Sequence, residues 1–268
     1  MVIAYKAAPD IEVLTSNFPI PGFGFVPINA FVIKGSEPIL VDTGSMVESA
    51  AFQSALRSVI DPADLRWIWL THTDFDHTGS LQALLAENPR LRVITTFLGV
   101  GIMSLTTSPL PMDRVHFVNP GQKINLGGRT LAAFKPPVFD NPSTTGFYDE
   151  KSGVLFSSDC FGALLPAVPQ SAADIPEKDL RDAQIAWATI DSPWLHKVDR
   201  GALARELDSI RRMAPKAILS SHLPAAPGEM IERLLASLSA APEAQPFVGP
   251  DQAALEQMLK QMTEGHTA

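Results

Sequence analysis

The chain has 268 residues, of which 46% are hydrophobic and 19% charged, a composition that is typical of a compact globular protein and excludes a disordered one. Its formal net charge of -8 opposes binding to phosphate backbones, so nucleic acid is not expected as a partner. The single cysteine, Cys160, excludes an internal disulfide, and we see neither a secretory leader nor an apolar run of about 18 residues. A cytoplasmic protein without membrane contact is expected.

Predicted strands and helices alternate along the chain. Short apolar stretches bounded by Pro or Gly favour strands, and apolar residues four positions apart favour helices. In chain order, strands are predicted at 11–14, 25–33, 38–42, 67–70, 92–95, 114–118, 123–126 and 130–134. Helices are predicted at 47–60, from Leu81 onwards, and between the strand at 92–95 and about Thr107. A strand at 153–159, helices at 177–190 and 199–213, a strand at 217–222 and helices at 228–240 and 250–262 follow.

Strands precede helices twice over, and no linker separates the two halves. Three prolines exclude a regular helix at 135–149, and Pro, Ala and Ser predict a long loop at 162–175. The predicted fold class is α/β, a four-layer αββα sandwich with two sheets face to face and helices outside. One domain is expected over 1–268, with its core at about 11–225, C-terminal helices at 226–262 and a polar tail at 263–268.

Ligand-type side chains cluster after predicted strands. Four of them fall within six positions directly after the strand at 67–70, and three others lie in the Pro-rich loop or at the ends of later strands. The set is His72, Asp74, Asp76, His77, Asp140, Asp159 and His222. Side chains at strand ends can converge on one rim of a sheet. Because four carboxylates brought together repel one another unless cations neutralise them, the set predicts a metal site.

The loop after the strand at 67–70 resembles a known family signature. The run Leu70-Thr71-His72, then Asp74, Asp76-His77 and Gly79, is similar to the signature loop of the metallo-β-lactamase superfamily, and Val41-Asp42-Thr43-Gly44 looks like its upstream Asp motif. The resemblance covers about 35–225 and implies the αββα fold. It also implies that Asp42 supports the metal-binding loop without being a ligand itself.

Two departures from the hydrolase branch of that superfamily narrow the resemblance. Asp74 and Asp140 stand where hydrolases typically have histidine, and an acid at position 74 is typical of flavodiiron and related oxygen-binding diiron proteins. The segments 136–142 and 153–162 are also similar to flavodiiron segments. Carried over, the resemblance implies one metal ion held by His72, Asp74 and Asp140, a second by Asp76 and His222 with His77, and Asp159 as the bridge.

The function implied is that of a diiron protein that binds or reduces O2 or NO. Oxygen-rich ligation favours iron, with manganese or zinc as alternatives. The resemblance implies a small-molecule ligand, an external electron donor because this chain has no flavin domain, and a homodimer. The alternative is a metal-dependent hydrolase of an ester, lactone, thioester or phosphoester that uses a metal-bridging hydroxide. A third hypothesis is a non-catalytic sensory domain. No catalytic residue is predicted beyond the ligands.

The remaining aromatic and sulfur side chains have structural interpretations. Cys160 is predicted to be a small buried hydrophobe, and Trp67 and Trp69 to pack in the core. Trp187 and Trp194 are placed in a segment at 160–200 that covers the site.

Overall fold

The computed structural model describes residues 1–264, and side chains up to Lys260. Most of the predicted polar tail at 263–268 lies outside the described residues. The described strands form two sheets whose neighbouring strands follow chain order. The first sheet contains β1 (Ile3–Ala8), β2 (Ile11–Ile20), β3 (Gly24–Ile33), β4 (Ile39–Val41), β5 (Trp67–Trp69), β6 (Arg92–Thr95) and β7 (Val115–Phe117). The second contains β8 (Lys123–Leu126), β9 (Arg129–Phe134), β10 (Gly146–Asp149), β11 (Val154–Phe156), β12 (Ala217–Leu219) and β13 (Ala226–Pro227).

Helices cover the outer faces of the two sheets. They are α1 (Ser49–Val59), α2 (Leu81–Glu87), α3 (Phe97–Met103), α4 (Glu177–Asp191), α5 (Arg200–Met213) and α6 (Ile231–Ala240). A further helix, α7 (Gln252–Glu264), has no buried side chain among its described residues. Buried side chains of α1 and α2 pack in the apolar cluster on the outer face of the first sheet. Those of α4, α5 and α6 pack in the corresponding cluster on the second sheet. Within residues 1–264, no helix combines the length and the apolar composition needed to cross a membrane.

Alternation along the strands builds the four layers. On β4, Leu40 faces the helices, whereas Ile39 and Val41 face the apolar cluster between the sheets. On β11, Leu155 faces the helices, whereas its neighbours face the same inner cluster. Successive side chains of a strand point to opposite faces, so one strand with apolar residues throughout can supply two layers. The predicted α/β sandwich with four αββα layers is confirmed.

The predicted core residues lie inside. Trp67 and Trp69 are buried in the inner cluster, and Trp67 also stacks edge-on against His116. Cys160 is buried in the outer cluster of the second sheet, and this burial raises the pKa of its thiol. These side chains therefore pack as the sequence predicts.

Two strands end earlier than predicted. The strands expected at 153–159 and 217–222 end at Phe156 and Leu219, so Asp159 and His222 lie on the loops that follow. Ser158 has a positive φ of 53°, which takes the chain out of the extended conformation. The prediction that these strands end in Asp159 and His222 was therefore wrong by about three residues.

Candidate metal centre

Loops at one rim of the two sheets carry the candidate side chains. The loop after β5 is hydrogen-bonded to the loop after β4, from Thr43 N–H to the His77 carbonyl at 2.7 Å and from Gly79 N–H to the Gly44 carbonyl at 2.8 Å. The loop after β12 is bonded to the loop after β11, with Ser221 N–H donating to the Ser158 carbonyl at 2.9 Å. Backbone contacts between the loops therefore fix where each side chain starts.

The rim brings all seven predicted residues together. Their ligand atoms fall into three overlapping groups, and within each group the atoms lie within 4.8 Å of one another. The groups are His72 with His77 and Asp159, Asp76 with His77 and His222, and His72 with Asp74 and Asp140. We refer to these seven residues as the His/Asp cluster.

Asp159 lies at the centre of the cluster. Its Oδ2 is 3.3 Å from His72 Nε2, and its Oδ1 is 3.2 Å from His77 Nε2 and 3.3 Å from His222 Nε2. On the outer side, Asp76 Oδ2 is 3.5 Å from His77 Nε2 and 3.4 Å from His222 Nε2. The two oxygens of the Asp159 carboxylate thus face two separate parts of the cluster, as a carboxylate shared by two ions would.

Hydrogen bonds on the far side of the imidazoles orient the histidines. His77 Nδ1 donates to Asp42 Oδ2 at 2.8 Å, and His222 Nδ1 donates to the Pro27 carbonyl at 2.8 Å. His72 Nδ1 lies 3.2 Å from the hydroxyl oxygens of Thr71 and Ser158. Each histidine therefore presents Nε2 to the cluster, and with Nδ1 protonated in His77 and His222, their Nε2 atoms keep a lone pair for a ligand.

Several polar atoms of the cluster have no hydrogen-bond partner. His72 Nε2, His77 Nε2 and Asp159 Oδ1 are buried, and although each lies 3.2–3.3 Å from another polar atom of the cluster, none of them forms a hydrogen bond. An unpaired buried polar group is costly, so three such atoms at one point need a compensating ligand. Imidazole nitrogens and carboxylate oxygens are the donors that divalent transition metals bind, so these residues fit a metal site.

The pKa values of the cluster residues are shifted by burial and by the charges of their neighbours. Although burial opposes a proton on the imidazole, the Asp159 carboxylate raises the pKa of His222 to about 9. Burial favours the neutral form of Asp159, but the three histidines outweigh it and hold its pKa well below the usual range. Partial burial and the carboxylates of Asp159 and Asp74 raise the pKa of Asp140 to about 7. The carboxylates therefore compete for positive charge.

The open side of the cluster faces an apolar cleft of about 790 Å3. Asp74 and Asp76, which are 42% and 33% exposed, lie at its base together with His222. The apolar part of its lining consists of Phe18, Ile20, Val26, Ile28, Met46, Val47, Phe75, Ile102, Met103 and Trp187. Molecules that reach the cluster by this route pass through a predominantly apolar environment.

Three further residues at the cluster were not identified from the sequence as site residues. Asn141 Nδ2 donates to Asp74 Oδ1 at 2.9 Å and so orients that carboxylate. Ser158 contacts His72, and Asp191, the last residue of α4, lies with Asp140 and Asp159 in a further group of ligand atoms within 4.8 Å. An Asn in a Pro-rich loop, a Ser after a strand and an acid at a helix end carry no specific sequence signal.

The two tryptophans of the 160–200 segment have different positions. Trp187 Nε1 donates to the Asp159 carbonyl at 3.2 Å, and its ring centroid lies 4.6 Å from that of His222. Trp194 Nε1 instead donates to the Phe139 carbonyl at 2.9 Å, on the loop that carries Asp140. Trp187 thus contacts the cluster directly, whereas Trp194 contacts the neighbouring loop and packs in the outer apolar cluster of the second sheet.

Known proteins resemble this chain in sequence and in structure. A sequence model described as ODP family beta lactamase matches residues 26–222. The anaerobic nitric oxide reductase flavorubredoxin of Citrobacter koseri is 32% identical over 50% of this chain and 28% of its own length. Rubredoxin oxygen:oxidoreductase of Desulfovibrio gigas superposes with a TM-score of 0.76 at 20% identity, covering 91% of this chain and 62% of that one. The flavodiiron protein of Giardia intestinalis gives 0.73 at 16% identity, covering 91% and 61%.

The chain spans only part of these proteins. It covers less than half the length of the curated relatives it matches, for example 42% and 28%. The structural likeness extends over nine tenths of this chain and about three fifths of each of these two solved structures. What is shared with these solved structures is therefore the αββα fold.

Proposed function

The chain belongs to the ODP beta-lactamase family, and from that premise we propose that it holds two metal ions, iron in the native protein, and binds or reduces O2 or NO there. The observation that carries the proposal is the convergence of three buried histidine Nε2 atoms on the two oxygens of one carboxylate, Asp159. The nitric oxide reductase and the oxygen oxidoreductase among the similar proteins support a reaction of this class.

The proposed ligand set divides around Asp159. One ion is held by His72, Asp74 and Asp140, the other by Asp76, His77 and His222, and Asp159 is shared. The four carboxylates balance the charge of two divalent ions. Because oxygen donors outnumber nitrogen donors, the set favours iron or manganese over zinc.

Two reduced irons, when bound, supply electrons and open coordination positions for a diatomic ligand. The chain itself orients the donors: Asp42 and the Pro27 carbonyl fix the imidazoles of His77 and His222, and Asn141 fixes Asp74. Trp187 and the apolar lining limit the access of water from the cleft. We propose that the electrons come from a donor outside the αββα domain.

Metal analysis of protein from an iron-replete culture, with an optical spectrum before and after O2, tests the proposal. About two irons per chain and a charge-transfer band on oxidation are expected. In parallel, Asp159→Ala is expected to lose at least one metal ion, because it removes the carboxylate between the two halves of the cluster. The exposed Asp64→Ala is the matched control. Retention of both ions by Asp159→Ala would overturn the bridging assignment.

The cleft favours a second candidate function. A volume of about 790 Å3 with a predominantly apolar lining is far more than a diatomic ligand needs and lies in the range of pockets that bind organic molecules. It would accept the apolar part of an ester, lactone, thioester or phosphoester, and two bound metal ions would supply activated water for hydrolysis. Two zinc ions, no optical response to O2, and turnover in an ester and lactone screen would establish this candidate and displace the first.

We also propose that the chain forms one domain and a homodimer. The inner apolar cluster, which contains residues of both sheets, supports the single domain. Exposed apolar side chains near the cleft, including Met46, Val47 and Phe75, support association, because such patches are typical of protein interfaces. A molar mass of one chain in light scattering would exclude the dimer.

A further inference from the structure

Asp191 brings a carboxylate to the cluster from the helical layer. It is the last residue of α4, and its ligand oxygen lies within 4.8 Å of those of Asp140 and Asp159. The hydrogen bond that it accepts comes from Ser192 Oγ at 3.1 Å. Among the ion pairs of the described residues, none includes Asp191. Its carboxyl group therefore lies beside two others and, within the described residues, has no cationic side chain as an ion-pair partner.

The end of α4 is anchored to the site at several points. One helical turn before Asp191, Trp187 donates to the Asp159 carbonyl at 3.2 Å, and residues four apart lie on the same helix face. Directly after the helix, Trp194 donates to the Phe139 carbonyl at 2.9 Å, next to Asp140. These contacts hold Asp191 between the Asp159 loop and the Asp140 loop.

An unpaired histidine nitrogen points into the same region. The His72 side chain is 1% exposed, and its Nε2 has no hydrogen-bond partner although it lies 3.3 Å from Asp159 Oδ2 and 3.9 Å from Asp74 Oδ2. His72 lies in one group of ligand atoms with Asp140 and Asp74, and Asp191 lies in another group with Asp140 and Asp159. Carboxylates this close repel one another strongly away from bulk water, and the buried His72 nitrogen without a hydrogen bond is a second energetic cost. A cation shared by these donors removes both costs.

We propose that Asp191 is a further ligand of the metal ion on the Asp140 side of the cluster. That ion is then bound by His72 and carboxylates alone, namely Asp74, Asp140, Asp191 and the shared Asp159. The inference rests on the dinuclear site proposed above. It makes the two positions unequal, because the other ion has the two histidines His77 and His222. The carboxylate-rich position favours the harder ion of any pair, such as manganese over zinc.

The test is a titration of metal-depleted protein with Mn2+, followed by electron paramagnetic resonance of free Mn2+, on the full chain. Asp191→Asn keeps the shape of the side chain and removes its charge. We expect two Mn2+ sites in the unaltered protein and a loss of affinity of about 10-fold or more at one site only in Asp191→Asn. Asp179→Asn, the same change at an exposed position of α4, is the control and is expected to match the unaltered protein.

The outcomes separate this inference from the proposed function. Two sites of unchanged affinity in Asp191→Asn would overturn the role of Asp191 and leave the dinuclear site standing. Absence of Mn2+ binding by the unaltered protein would overturn both. Asp191→Glu retains the carboxylate and is expected to recover part of the lost affinity, whereas equal losses in Asp191→Glu and Asp191→Asn would assign the effect to packing at the end of α4 and overturn ligation.

Discussion

Asp42 is fully buried yet makes no contact with the centre of the cluster. Its carboxylate accepts hydrogen bonds from Thr71 N–H at 2.8 Å, from the Thr71 hydroxyl at 2.7 Å and from His77 Nδ1 at 2.8 Å. The first two hold the loop after β5 at its start, and the third fixes which nitrogen of His77 faces the metal position. One residue thus orients both the loop and one of its histidines.

Asp42→Asn is expected to weaken metal binding and leave the fold intact. Asp42 has a φ of 57°, a conformation that Asn also adopts readily, so the substitution adds little backbone strain. It removes the charged acceptor of the His77 proton, and we expect metal affinity to fall about 10-fold to 100-fold in a competition titration with a chelator. The exposed Asp64→Asn serves as control. Unchanged affinity in Asp42→Asn would show that His77 is oriented by its other contacts.

Sequence could identify the residues that lie in a local motif or directly after strands. His72, Asp74, Asp76 and His77 stand within six positions directly after a predicted strand, so their clustering is visible in the sequence. Asp191 could not be identified, because its proximity to Asp140 depends on how α4 packs across the second sheet. Asn141 likewise gains its role only from the distance that folding sets between its amide and Asp74. Packing between distant segments determines these contacts, and local pattern does not encode it.

The loops after β4 and β5 approach closely at Gly79. A Cβ atom at this position would lie 2.3 Å from Met46 N and 2.5 Å from the Gly44 carbonyl oxygen, both of them backbone atoms. Gly79 N–H also donates to that carbonyl at 2.8 Å. The glycine is therefore required because the two loops pack backbone to backbone, and this packing sets the position of His77.

Gly79→Ala is expected to separate these two loops and to destabilise the protein by about 1–3 kcal/mol, as is typical of an overpacked site. Chemical denaturation measures the change, and metal stoichiometry of the same variant is expected to fall because His77 moves with its loop. Gly101→Ala is a suitable control, since a Cβ atom there meets no other atom within 4 Å and α3 favours alanine. Equal stability of the two variants would mean that the loops adjust without cost.

Strands could be predicted from the sequence where the burial of their side chains alternates or is continuous along the strand. The ten-residue strand β3 is almost fully buried, and its apolar run is visible in the sequence. β1 was missed because none of its residues is fully buried, so it carries no clear apolar face. β10 was missed because it follows a segment in which three prolines dominate the pattern, although its pairing with β9 and β11 buries most of it. Strand pairing between distant segments compensated for the weak local signal.

At the scale of the whole molecule, the cluster joins the two sheets. The loops after β4 and β5, on the first sheet, supply Asp42 and the residues from His72 to His77, whereas loops of the second sheet supply Asp140, Asp159 and His222. Ions bound between them therefore act on both halves of the sandwich. Because the unfolded chain does not assemble such a site, metal binding adds to the stability of the whole fold.

The stabilisation by metal is expected to increase with pH. Folding raises the pKa of Asp140 to about 7 and that of His222 to about 9. The protons on these two groups stabilise the metal-free protein fully below the pKa values of the unfolded chain. This stabilisation is lost as pH rises through the pKa values of the folded protein. The lowered pKa values of Asp76 and Asp159 change stability only in more acidic solution. Metal ions replace these protons, so the loaded protein avoids the loss.

Thermal unfolding of metal-loaded and metal-depleted protein between about pH 6 and pH 8 measures this difference. We expect the gap between the two Tm values to widen with pH, because the metal-free Tm falls while the loaded Tm changes less. In metal-depleted Asp140→Asn, which carries no charge at position 140, the decline is expected to be shallower. A gap that stays constant in the unaltered protein would mean that the protons of the cluster are not linked to metal binding, and a gap that narrows would reverse the sign of that linkage.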